Sequence, residues 1–109
     1  MIENIENEEA IKLIEENKDN PDFVILDIQP ETYYDDARIH NCLHIDMFRG
    51  NEVDKIDILD RSKAYLIYCR TGLKSDIGAK YMEKQGFKKV FHLYEGFGEW
   101  IKNDYPVER

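Results

Sequence analysis

Apolar residues in this chain gather into runs of four or five, set apart by helical spacings and polar breaks. Residues 64–68, Ala-Tyr-Leu-Ile-Tyr, are apolar or aromatic throughout. That pattern suits a strand buried on both faces, although periodicity alone leaves a helical segment open. Phe23-Val24-Ile25-Leu26 is a second such run, ending on Asp27, and Val90-Phe91-His92-Leu93 is a third. Residues 2–5 predict a short edge strand, and Cys42 to Ile45 another, with Leu43 and Ile45 on one face.

Helical spacing fills the intervals. Ala10, Leu13 and Ile14 predict a helix over 8–17, with Asn7 as N-cap and Glu8 and Glu9 in the first turn. Asn20-Pro21-Asp22 breaks it. Pro30 opens a short helical turn carrying Tyr33 and Tyr34. Residues 46–62 predict loop plus a weak helix. Ser75 opens a further helix whose apolar stripe is Ile77, Gly78, Tyr81 and Met82, with Gly86 at its C′ position. Glu95-Gly96-Phe97-Gly98 reads as a loop, and Trp100 and Ile101 belong to a last helix before Pro106. Alternating strands and helices predict an α/β fold: a central, mostly parallel five-stranded sheet flanked by helices on both faces. In such sheets ligands bind beyond the carboxyl ends of the strands. Asp27, Cys69 and the Glu95–Gly98 loop all follow strand ends and should share that edge.

Composition narrows the classes. The 109 residues suit one domain over 1–109. A net charge of −8 without a Lys/Arg block argues against sequence-independent binding to nucleic acid or anionic lipid. No apolar run approaches the length of a membrane span, and the first residues lack the basic and apolar regions of a signal peptide. Two cysteines, Cys42 and Cys69, make no disulfide framework, so reduced thiols in a cytoplasm are the simpler expectation.

The candidate chemistry centres on Cys69. It ends the 64–68 run, and a short loop containing Gly72 leads to Ser75. Strand end, tight loop and helix N-terminus make a concavity of inward N–H groups, which favours an anion and holds a sulfur more easily as thiolate than as thiol. The competing reading is an inert buried thiol. Gly72 allows the turn, because a β-carbon there would crowd the cradle. Arg70 and Lys74 are either pocket cations or solvated surface charges. Asp27 fits a structural role, accepting loop N–H bonds at the strand end. His40, Cys42 and His44 alternate and would share one side of a strand, but the pattern is short and lacks a fourth ligand, so no metal is expected. Cys42 fits a packing role, and a Cys42–Cys69 disulfide stays open.

Four stretches together resemble the single-domain rhodaneses, sulfurtransferases of the thiosulfate or persulfide type. Val24-Ile25-Leu26-Asp27-Ile28 is similar to the family's strand ending in Asp, with Tyr34 at its usual aromatic position. Ala37-Arg38-Ile39-His40-Asn41-Cys42-Leu43-His44-Ile45 lies where Gly-His-Ile-Pro-Gly-Ala-x-Asn-Ile is usual. Tyr68-Cys69-Arg70-Thr71-Gly72-Leu73-Lys74-Ser75 is similar to the active-site loop. Gly86-Phe87-Lys88-Lys89-Val90, Leu93, Gly96, Trp100 and Tyr105-Pro106-Val107 match the closing segment. The departures are Gln29 in place of an Arg, the altered turn at 38–41, Lys74 for Arg, and Glu95-Gly96-Phe97 for a Gly-Gly pair. Lys keeps the charge of Arg but not its planar fork.

The resemblance implies that Cys69 is the catalytic nucleophile and carries a persulfide. It implies that Arg70, Thr71, Gly72, Leu73 and Lys74 bind a small anionic sulfur donor, with Asp27, Arg38 and Ser75 in support. The acceptor would be cyanide or a thiol, a thioredoxin-like or other protein among the candidates, and no cofactor is implied. Two alternatives stand beside the enzyme: a protein-to-protein persulfide relay and a non-catalytic rhodanese-like binding module. A Cys-x5-Arg phosphatase is disfavoured, because Ser75 stands six residues after Cys69 and Lys74 falls one short.

Overall fold

Five strands alternate with five helices, in the order β1 (Ile2–Ile5), α1 (Asn7–Glu16), β2 (Phe23–Asp27), α2 (Glu31–Asp36), β3 (Leu43–His44), α3 (Glu52–Asp57), β4 (Ala64–Tyr68), α4 (Leu73–Lys84), β5 (Lys89–Leu93) and α5 (Phe97–Lys102). The computed structural model describes residues 1–47, 49, 50 and 52–109, with Glu52 by its backbone alone. The strands form one sheet in the order β1-β5-β4-β2-β3, and every pairing is parallel. Among the described residues no helix is long and apolar enough to cross a membrane.

Parallel strands are covered on both faces, so their sequences are continuously apolar instead of alternating. The central strand β4 shows this: Tyr65, Leu66, Ile67 and Tyr68 are all buried. Its side chains feed two cores. Tyr65, Ile67 and Cys69 pack with Ile56 of α3 and Ala79 and Met82 of α4 on one face. Leu66 and Tyr68 pack with Ala10 of α1 and with Phe97 and Trp100 of α5 on the other.

Several predicted boundaries move, each for a local reason. Asn7 is the first residue of α1 rather than its cap; Glu6 is the N-cap, and the Glu6 N–H donates to the Glu9 carboxylate at 3.3 Å. Asn7 is buried and its amide donates to the Gly96 carbonyl at 3.4 Å. Helix α4 starts at Leu73, two residues before Ser75, with Gly72 as its N-cap. Its other end is as expected. The Phe87 N–H bonds the Met82 carbonyl and the Gly86 N–H the Glu83 carbonyl, both at 3.1 Å, which is the Schellman closure with Gly86 at C′. In the apolar stripe of α4 Gly78 and Met82 are buried and Tyr81 packs against the core, whereas Ile77 is 60% exposed; Ser75 and Ala79 are buried beside them. Strand β3 is only two residues long, so the alternation expected over Cys42–Ile45 does not develop: Leu43 is exposed and Ile45 buried. The weak helix expected within 46–62 is α3; Phe48 and Asn51 of that stretch lie outside the described residues. The loop expected over Glu95–Gly98 is shorter, because α5 begins at Phe97.

The carboxyl edge of the sheet is tied together by two sets of contacts. In the first, the Phe97 N–H donates to the Cys69 carbonyl at 2.9 Å and the Gly98 N–H to the Arg70 carbonyl at 2.8 Å, so the β5–α5 loop lies directly on the β4–α4 loop. Gly96 makes this approach possible. Its φ of +86° suits glycine, and a β-carbon there would stand 2.7 Å from the Arg70 carbonyl oxygen and 2.8 Å from the Thr71 carbonyl carbon.

The second set starts at Asp27, level with Tyr68 across the β2–β4 pairing. Its buried carboxylate accepts from the Gln29 N–H at 2.8 Å, from the Gln29 amide at 3.0 Å and from the Tyr68 hydroxyl. Tyr68 Oη also accepts the Ile39 N–H at 2.9 Å. The Gln29 amide donates to the Ala37 carbonyl at 3.1 Å, and its Oε1 accepts from Arg70 Nε at 2.7 Å. One carboxylate thus fixes the loops after β2 and, through Gln29, the loop after β4. Burial raises the Asp27 pKa above the ordinary value, an effect the bonds from Tyr68 and Gln29 only partly offset.

Two outcomes follow for stability. Gly96→Ala combines left-handed backbone strain with overlap against Arg70 and Thr71, and should lower the unfolding free energy by about 2–4 kcal/mol in denaturant titrations; a loss below about 1 kcal/mol would refute the close approach. A carboxyl whose pKa folding raises gives stability that is fully present below the unfolded pKa, about 3.9 for Asp, and lost as pH rises through the folded value. Stability of the parent relative to Asp27→Asn should therefore fall as pH is raised from about 3.5 upward, by about 1 kcal/mol for each pH unit between the unfolded and folded values. A pH-independent difference would contradict it.

Candidate active site

Cys69 follows the last residue of β4 and lies at the carboxyl edge of the sheet, below the first turn of α4. Its Sγ accepts the Gly72 N–H at 3.1 Å and the Ser75 N–H at 3.3 Å. Both amides belong to the helix start, Gly72 as N-cap and Ser75 as the third helical residue. Helix N-caps normally supply a side-chain oxygen to these orphan donors. Gly72 has no side chain to offer, and the sulfur takes its place. The loop can bend this way because Gly72 holds φ +94°, where an added β-carbon would lie 2.6 Å from the Tyr94 carbonyl oxygen. Two amides and the positive end of α4 are therefore aimed at one sulfur, an arrangement that favours negative charge on it.

The sulfur is enclosed. Cys69 is 4% exposed, whereas Thr71, Leu73 and Lys74 in the same loop are exposed. Ser75, wholly buried, places its Oγ 3.4 Å from Sγ, 3.2 Å from the Gly72 carbonyl and 2.7 Å from Nε2 of His92. His92 is also buried, and its Nδ1 lies 3.0 Å from Oδ1 of Asn4 on β1.

The remaining residues of the sequence-predicted site distribute unevenly around this centre. Arg70 turns toward α2: its Nε donates to Gln29, its Nη2 to the Tyr33 carbonyl at 3.2 Å, and its guanidinium lies 4.7 Å from the Tyr33 ring centre and 5.7 Å from that of Phe97. Its charge therefore sits at the loop, but its hydrogen bonds go to protein groups. The Thr71 hydroxyl accepts the Leu73 N–H at 3.3 Å and shapes the turn. Leu73 is 74% exposed at the rim, and Lys74 follows it in the first turn of α4. Asp27 binds loop N–H groups, as its place at a strand end predicts, and is bonded to Gln29 and Tyr68. Arg38 is engaged with the C-terminal segment, through Glu108 at 3.0 Å and the Tyr34 carbonyl at 3.2 Å.

The His40, Cys42 and His44 side chains do not converge. His40 pairs with Glu108 at 2.7 Å, Cys42 lies 3.9 Å from the Tyr68 hydroxyl, and His44 stacks on Tyr34 with its Nε2 on the Gln29 carbonyl at 2.8 Å. Among the described residues no group of three or more potential ligands could hold a metal. Cys42 packs against the core on the α1–α5 face while Cys69 belongs to the opposite one, and both are free thiols. Burial, followed by the charge of Asp27, pushes the Cys42 thiol up to about 11, which leaves it protonated and unreactive at neutral pH. The disulfide left open by the sequence does not form.

Two residues near the sulfur escape the sequence motifs, His92 and Asn4. Their signal is register. His92 stands two residues after Val90 on a buried strand, facing the α4 side, and Asn4 is its direct partner on β1. A polar side chain at a core-facing strand position is the mark that could have singled it out.

Comparison with known proteins identifies the family. The family model of the Rhodanese-like domain matches residues 6–103. Over 100 residues the chain is 33% identical to the thiosulfate sulfurtransferase GlpE of Coxiella burnetii, covering 92% of this chain and 88% of that protein. It is 33% identical over 76 residues to a putative sulfur carrier protein, YrkF, of Bacillus subtilis, covering 70% of this chain and 40% of that one. Among solved structures, a protein of unknown function from Rhodopseudomonas palustris, described as a possible tyrosine phosphatase, matches with a TM-score of 0.79 at 29% identity, over 98% of this chain and 85% of its own. Matched along nearly its whole length in sequence and in fold, this chain belongs to the family of rhodanese-like domains.

Proposed function

We propose that this protein is a single-domain sulfurtransferase of the cytoplasm, with Cys69 as the carrier of the moving sulfur. The observation that supports it most is the pair of N–H groups, from Gly72 and Ser75, directed at Sγ. In the first step the Cys69 thiolate attacks the outer sulfur of thiosulfate or of a persulfide donor. A new S–S bond forms, the donor's own S–S bond breaks, and sulfite or a thiolate leaves with the electron pair. In the second step an acceptor thiolate or cyanide attacks the terminal sulfur, and the Cys69 thiolate is regenerated. No redox partner is consumed, since one S–S bond is exchanged for another or for an S–C bond.

The surrounding residues divide the work. The amides that hold the thiolate also suit the anionic persulfide, because the charge stays close to the helix start. Arg70 and Lys74 put positive charge at the loop of an otherwise acidic chain and attract an anionic donor. Thr71, Gly72 and Leu73 set the shape of the turn around the donor. Asp27 and Gln29 act behind it, by fixing Arg70. The enclosure of Cys69 favours a donor no larger than a sulfur group at the point of attack.

Similarity to a putative sulfur carrier protein supports a second reading, in which the donor and acceptor are both proteins and thiosulfate is only a surrogate. A phosphatase reading fits less well. Six residues after Cys69 stands Ser75, which bonds inward to His92 and offers no guanidinium to a phosphate.

Incubation with thiosulfate followed by intact-mass measurement should show one added sulfur on the parent and none on Cys69→Ser. Gain from a persulfide donor alone would favour the protein-to-protein relay. No adduct from any donor would overturn sulfur transfer, and aryl phosphate hydrolysis dependent on Cys69 would overturn the loop-length argument. Lys74→Ala should slow thiosulfate consumption several-fold at low ionic strength and less at about 0.5 M salt, where the attraction is screened. An equal effect at both salts would remove Lys74 from donor capture.

A further inference from the structure

A chain of four polar side chains, buried at Cys69, Ser75 and His92 and exposed at Asn4, crosses the sheet edge behind the sulfur: Cys69 Sγ, Ser75 Oγ at 3.4 Å, His92 Nε2 at 2.7 Å from that oxygen, and Asn4 Oδ1 at 3.0 Å from Nδ1. Hydrogen-bond direction in it follows from the far end. Asn4 Oδ1 can only accept, so Nδ1 of His92 carries the proton and Nε2 presents a lone pair. The 2.7 Å contact is then Ser75 O–H donating to Nε2. With its one proton committed there, Ser75 Oγ has lone pairs left for the Cys69 S–H.

We propose that His92, acting through the Ser75 hydroxyl, takes the proton of Cys69 and so generates the resting thiolate. The proposal rests on Cys69 being the reacting sulfur. The Cys69 S–H bond breaks and its electron pair stays on sulfur; the proton passes to Ser75 Oγ as the Ser75 proton passes to Nε2. The products are a thiolate facing the Gly72 and Ser75 amides and an imidazolium whose Nδ1–H is held by Asn4. His92 is a positioning residue for this proton, since it reaches the sulfur only through Ser75.

The surroundings of His92 are suited to a ring that is neutral until the sulfur ionises. Burial lowers its pKa below the ordinary value, and Lys80 acts in the same sense, while Asp76 and the Gly72 carbonyl favour the charged ring. Asp76 and Lys80, both on α4, pair with each other at 2.9 Å. From β1 the facing group is the uncharged Asn4, and from the end of β4 it is Cys69 itself. The charges of α4 that act on His92 are thus paired with each other, and the group linked to it through the Ser75 hydroxyl is Cys69, so the two share one proton.

The test uses the full chain and iodoacetamide as the probe of thiolate, with peptide mapping to assign the adduct to Cys69. His92→Asn and Ser75→Ala should each lower the alkylation rate at pH 7 about ten-fold and move the rise of the rate up by about one pH unit. Asn4→Asp places a carboxylate against Nδ1 at an exposed edge-strand position and should move the rise to lower pH. In nitrogen NMR of the parent, His92 Nε2 should stay protonated to higher pH than in Cys69→Ser, because the thiolate holds the proton on the ring. Unchanged pH profiles in all three variants would overturn the relay, as would a His92 titration that is the same with and without Cys69. Should His92→Asn fail to fold, the Asn4→Asp shift decides by itself. Sulfur loading is scored separately. Loading by the parent with unshifted profiles sinks the relay and leaves sulfur transfer standing; shifted profiles without loading from any donor do the reverse.

Discussion

Everything at the carboxyl edge depends on a sulfur accepting two backbone N–H groups from the start of a helix. The interaction is electrostatic and directional. Gly72 and Ser75 present their amides at 3.1 and 3.3 Å, and the aligned peptide dipoles of the 12-residue α4 add to the field there. A neutral thiol is a poor acceptor for such donors, while an ionised one is a good one. The geometry therefore biases the chemistry of Cys69 before any substrate arrives. Because the donors are main-chain groups, their aim is set by the backbone of the loop and is as rigid as that loop.

That rigidity comes from elsewhere in the chain. Gly96 lets the β5–α5 loop lie on the carbonyls of Cys69 and Arg70, and the Asp27–Gln29–Arg70 series grips the same loop from the β2 side. Gln29, a departure from the arginine usual at this position, meets the needs of three neighbours: the Asp27 carboxylate, the Ala37 carbonyl and the Arg70 Nε. A buried arginine would bring charge next to Arg70, whereas the amide both donates and accepts. Burial of so many polar groups is tolerable because each has a partner. Among the described buried side-chain atoms only Asn7 Oδ1 has none.

The architecture was legible because the code for buried parallel strands is coarse: β1 and β4 fall on the predicted residues, and β2 and β5 differ by one. The place of Cys69 at a strand end, and of Gly72 in the turn, was legible for the same reason. Helix starts were less so. Asn7 looks like a cap and Ser75 looks like a start, yet caps are chosen by tertiary contacts: Asn7 is drawn inward to Gly96, and the sulfur stands in for a cap side chain at α4. The direction of Arg70 was hidden too, since it depends on Gln29 and Tyr33, some forty residues away. His92 could not be linked to Cys69 without the strand order, which sets β5 between β1 and β4 and brings Asn4 level with it. Sequence neighbours announce a loop; sheet neighbours decide what stands behind it.

A sulfur that doubles as a helix cap changes what it means to delete it. Truncating Cys69 to alanine removes a reactive atom and, in the same stroke, strands two enclosed amide donors, so the first turn of α4 would loosen along with the chemistry. Serine keeps an acceptor in nearly the same place while withdrawing the nucleophile. The two replacements therefore ask separate questions of this protein, one about its architecture and one about its reactivity, and only the hydroxyl version isolates the second.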